Sequence, residues 1–149
     1  MHSSSHYFCI FLLLQHLDAC FHYIKQLAKF GKGVKMKATT TYCIFDITIQ
    51  SSHSKFIQNP SIIIEKDELI KTINGERLSF NTIWRKVESV LIPIMPTNHA
   101  HWMLGQLDIA NNVLYIYNLN SKSYKDNKDC EGILPLVKTL THLLIFIGL

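Results

Sequence analysis

The chain has 149 residues, 48% hydrophobic and 17% charged, which suits one packed domain and excludes a disordered polymer. Its net charge is +4, and the acid-free stretch from Ala19 to Phe45 holds Lys25, Lys29, Lys32, Lys35 and Lys37. That stretch predicts a basic solvated surface; without aromatic-basic interleaving or finger spacing, nucleic acid is not an expected partner.

The elements follow in chain order. "YFCIFLLL" (Tyr7 to Leu14) is too short to span a bilayer, and "MHSSSH" before it lacks the positive start of a signal peptide. No membrane contact is expected. Leu13, Leu17, Cys20, Ile24 and Leu27 recur at helical steps, predicting a helix from near Phe8 to Phe30 that "GKG" stops. "TTTYCIFDITI" (Thr39 to Ile49) is β-branched and aromatic and predicts a strand or extended segment; "QSSHSKFIQNPS" predicts a loop. "EKDELIKTING" predicts a short helix ending at Asn74-Gly75. Ser79 to Ser89 predicts another, with Ile83, Trp84 and Val87 on its apolar face.

Val90 to Ile94 is strand-like, and Pro93 favours an edge or a strand end. "MPTNHA" turns the chain. From His101 to Leu107, Trp102, Leu104 and Gln106 share one face, and His101, Met103, Gly105 and Leu107 the other. "DIANN" is a turn, and Val113 to Asn118 is a third strand. After "SKSYKDNKDCEG" comes a helix with Leu134, Val137, Leu140 and Leu144. The fold class is α+β, with helices packed on a small antiparallel sheet.

Cys9, Cys20, Cys43 and Cys130 are scattered, with no zinc-like or redox spacing. Free thiols and a nuclear or cytoplasmic setting are expected. His101 opens one predicted strand and Asn118 closes the next, so a hairpin would set them side by side. An amide oxygen there would orient the imidazole through one nitrogen and leave the other to take a proton from a thiol. Strand ends also carry such residues for purely structural reasons. His99 and His101 share a face, but no acid or thiol stands near them in sequence, so no metal and no cofactor is expected.

The sequence "VLIPI", "MPTNHA", "HW", "MLGQLD", "IANN", "VLYIYNLNS" resembles the central part of the Ulp-type cysteine proteases, which process or remove SUMO and related ubiquitin-like proteins. It looks closest to divergent plant members, many carried by transposable elements. Trp84 and Val87 fit as well, so the resemblance is best over 84–121. It implies a papain-like α+β domain, partial over 39–149, after an N-terminal helical segment at 1–38. It implies His101 as general base, Asn118 in the place of the catalytic aspartate, and Trp102 lining a narrow substrate channel. The implied activity is that of a thiol hydrolase, a cysteine-type peptidase cutting after the Gly-Gly tail of a ubiquitin-like protein or its conjugate.

Two departures qualify that expectation. Asn118 replaces a carboxylate, as papain-like sites tolerate. The family's nucleophilic cysteine and oxyanion glutamine fall beyond Leu149; Cys130 comes too early and has no glutamine before it. The chain as given is therefore expected to be inactive. The alternative readings are a module that binds a ubiquitin-like or acidic protein partner without catalysis, and an unstable relic exposing "HLLIFIGL".

Overall fold

In a computed structural model the chain is described at residues 3–34, 37–63, 67–77, 82–97, 101–118 and 127–149, with the side chains of 3–13, 63, 67 and 127–130 set aside. Helix α1 (Ser3–Phe30) leads to strand β1 (Ala38–Thr40) and helix α2 (Cys43–Gln58). A 3-10 turn (Pro60–Ile63), helix α3 (Asp67–Ile73) and a second 3-10 turn (Trp84–Lys86) follow. Strands β2 (Ser89–Ile94), β3 (Met103–Asp108) and β4 (Val113–Tyr117) then precede helix α4 (Asn127–Ile147). The sheet runs β1-β2-β3-β4. It is mixed rather than antiparallel throughout, because β1 joins β2 in parallel.

The clearest departure from the sequence expectation is α2, where a strand and then a loop were predicted. Tertiary contacts override the β-branched composition. Cys43, Asp46, Ile49 and Ser52 recur every third residue and are buried together with Phe45. The first turn gains a cap from α1: Asp18 Oδ1 accepts from the Cys43 N–H at 2.8 Å. Thr48 and Ser52 return their hydroxyls to the carbonyls of Ile44 and Thr48, both at 2.7 Å, so neither competes for the helix ladder.

The predicted helix over Ser79 to Ser89 is reduced, among its described residues, to the 3-10 turn at Trp84–Lys86, because Val87 is already extended and Ser89 has entered β2. Pro93 sits in an interior strand, not at the edge its type suggested. The Thr41 N–H donates to Leu91 O on the β1 side of β2. Two residues on, Pro93 faces that same side where β1 has already ended, so its missing N–H costs no ladder bond.

The β3–β4 hairpin follows its pattern. Met103, Gly105 and Leu107 are buried, while Leu104, Gln106 and Asp108 are half-buried. Gly105 lies under Ile94, whose Cδ1 would stand 2.6 Å from an added Cβ. In the turn, Asn112 takes φ 54, and Asp108 accepts from the Asn111 backbone and side chain at 3.0 and 2.9 Å. Those bonds hold its carboxyl below the usual range.

Helices α2 and α4 cover one face of the sheet. Phe45 and Ile49 from α2 meet Val90, Ile92, Ile94, Met103 and Leu107 from the sheet, with Leu136, Leu140 and Leu143 from α4. Trp84 closes this core against Phe45, ring centroids 5.6 Å apart. Each buried aliphatic side chain contributes about 1.5–3 kcal/mol. Helix α1 packs beside β1 through Phe21 and Lys25, while Cys20 and Leu27 of its predicted apolar face are exposed. Among the described residues no helix is long and apolar enough to cross a membrane.

Candidate functional site

The hairpin register pairs Leu104 with Tyr117, so the residues just before β3 and just after β4 share one end of the sheet. Asn118 Oδ1 lies 2.5 Å from His101 Nε2. An amide oxygen only accepts, so this bond places the proton on Nε2 and leaves Nδ1 with its lone pair. Nδ1 is buried and has no hydrogen-bond partner among the described residues. The result is an imidazole fixed in plane and tautomer, with one nitrogen open to a proton.

No described thiol completes that pair. Cys43 is buried at the start of α2, where burial first, then the hydrogen bond and charge of Asp18, push its thiol far up. A thiol held protonated in this way is inert. Cys20 lies exposed on α1. Cys9 and Cys130 belong to α1 and α4, but their side chains lie outside the described residues, as does His99. Trp102 is half-buried immediately before β3. Among the described residues no three His, Cys, Asp or Glu side chains form a metal cluster.

In the lysine-rich stretch Lys29, Lys32 and Lys37 are exposed, as a solvated basic surface requires, Lys35 lies outside the described residues, and Lys25 is the exception. Lys25 is buried, donates to Tyr42 Oη at 2.9 Å, and lies 4.3 Å from that ring's centre. Burial lowers its ammonium to about 8, against the opposing charge of Asp18. Lys37 pairs with Glu88 at 3.2 Å across exposed surface.

Two features were missed by sequence reasoning. Among the described residues no strand pairs with the outer side of β4, and Val113, Tyr115 and Tyr117 are exposed on one face. Beneath its other face a groove of about 560 Å³ runs against α4, lined by Leu114, Ile116, Val137, Leu140, Leu144 and Leu149 among others, none of them ionisable. The second feature is a buried carboxylate, Asp46, bound to Gln50. Its four-residue spacing carries a signal only once residues 43–58 are known to be a helix.

No protein-family model, curated protein or solved structure matches the chain. The expectation of a hydrolase, a thiol protease or cysteine-type peptidase, working in proteolysis or ubiquitin-like conjugation, is corrected accordingly. The chain matches no protease family, and neither described thiol is arranged for catalysis.

Proposed function

We propose that the chain is a protein-binding module without hydrolytic activity of its own, taking an extended segment of a partner along β4. The observation that carries this reading is the outer side of β4, which no other described strand pairs, above a groove lined by no ionisable side chain. A strand added there would satisfy the outward backbone groups of β4 and drop alternate side chains onto α4. Its opposite face would meet Tyr115 and Tyr117, whose rings offer large contact area at low entropic cost. The preferred segment is apolar at every second residue. The sequence resemblance supplies the partner class, a ubiquitin-like protein. In this reading the His101–Asn118 bond ties the two strand ends that bracket the binding edge.

Titration of the isotope-labelled chain with SUMO tests the proposal by NMR. Saturable shifts are expected at Val113, Tyr115, Tyr117 and Val137. Tyr115→Lys and Val137→Glu, both at exposed positions, should weaken binding roughly tenfold or more while circular dichroism stays unchanged. Absence of saturable binding overturns the partner assignment. Turnover of a fluorogenic SUMO C-terminal substrate overturns the non-catalytic one.

A further inference from the structure

The connection that carries the chain from β2 to His101 begins at Met95, and both polar backbone groups of Met95 are held by α2. The Met95 N–H donates to Asp46 Oδ2 at 2.9 Å. Met95 O accepts from Gln50 Nε2 at 2.6 Å. The same Gln50 nitrogen sits between the two Asp46 oxygens, at 2.8 and 2.9 Å. Asp46 is fully buried. Two residues beyond Met95, the Thr97 N–H donates to Gly132 O of α4 at 3.0 Å, so this connection is pinned from both helices.

We propose that Asp46 is a proton-operated latch on Met95 to Thr97, the residues that follow β2, closed while its carboxylate is ionised and released when it is protonated. The geometry dictates the direction. Gln50 Nε2 occupies the side on which both oxygens present the lone pairs that bind a carboxylic proton. A proton on that side of either oxygen therefore meets a donor. The conflict is relieved when the Gln50 amide turns over, presenting its oxygen to the new O–H. That turn withdraws the nitrogen from Met95 O and leaves this half-buried carbonyl facing an acceptor. A cavity of about 270 Å³, lined by Asp46, Ile47, Gln50, Ser51, Met95 and Thr97, gives the amide room to move.

The titration range supports the device. Burial raises the Asp46 carboxyl from 3.8 to about 6, against the two hydrogen bonds that lower it, and no charged side chain is among the causes. The titratable neighbours are the Cys43 thiol on its own helix, which feels Asp46, and Asp18 of α1, which meets Cys43. Among its described residues the β2 end and the connection bring the uncharged Met95 and Thr97 to this cavity, and His99 lies outside the described residues. The latch is independent of the binding reading.

The test is an NMR titration from pH about 4.5 to about 8, following the Met95 amide and the Gln50 side-chain amide. Both should move with one shared midpoint near the Asp46 value, and Asp46→Asn should abolish that movement. Thr97 amide exchange, corrected for its intrinsic pH dependence, should be roughly fivefold faster below the midpoint, the factor one ordinary hydrogen bond is worth. Gln50→Ala keeps the carboxylate and should hold Thr97 at the fast level throughout. A static Met95 amide, a titration that survives in Asp46→Asn, or Thr97 exchange that still depends on pH in Gln50→Ala overturns the proposal.

Discussion

At the scale of the residue, Asn118 brings an acceptor to His101 without bringing a charge. A neutral amide fixes which nitrogen carries the proton without placing a negative charge beside the ring. Nitrogen-15 spectra at mildly alkaline pH should therefore show His101 as a single neutral tautomer, protonated at Nε2. Asn118→Ala should yield a mixture of both tautomers. One tautomer unchanged in the variant would mean that something other than Asn118 orients the ring.

At the scale of the element, α2 shows how a strand-like sequence becomes a helix. Tyr42, at its N-cap, supplies no side-chain bond; the cap comes from Asp18, 25 residues earlier. Asp18→Ala should cost about 1 kcal/mol in denaturant unfolding, through loss of the cap and of a negative charge at the helix start. A stability unchanged within error would show that α1 and α2 are joined by burial alone. This long-range cap also marks the limit of sequence reading. The alternation of Met103, Gly105 and Leu107 is local, so β3 and β4 were legible, and with them the meeting of His101 and Asn118. The helix at 43–58 was not, because its inward face becomes apparent only against Trp84 and α4. For the same reason the Asp46–Gln50 pair was invisible. The face of α4 was read about a quarter of a turn out: Leu140 is in the core and Leu144 packs against it as read, but Leu134 and Val137 are exposed while Ile133, Leu136 and Leu143 reach the core.

At the scale of the whole molecule, Asp46 gives stability a pH dependence of definite sign. Its folded value, about 6, lies above the ordinary carboxylate value, so the folded state holds the proton more tightly than the unfolded chain. The associated stability is fully present below pH about 4 and is lost as pH rises through about 6. A shift of this size corresponds to about 3 kcal/mol. Subtracting the unfolding free energy of Asp46→Asn from that of the natural chain should give a curve that falls across this window and flattens above it. A flat difference would place the Asp46 carboxyl at its ordinary value.

The outer side of β4 has a further consequence, for how copies of the chain behave in company. The run Val113–Tyr117 carries no charge, no proline and no glycine, and no other described strand pairs with its outer side. Natural sheets commonly guard such an edge with a lysine, a bulge or a proline. An unguarded one is a template for cross-β stacking whenever local opening frees it from α4. A partner seated on β4 would thus act as a chaperone of the fold, shielding the stretch through which the protein is most prone to self-assemble.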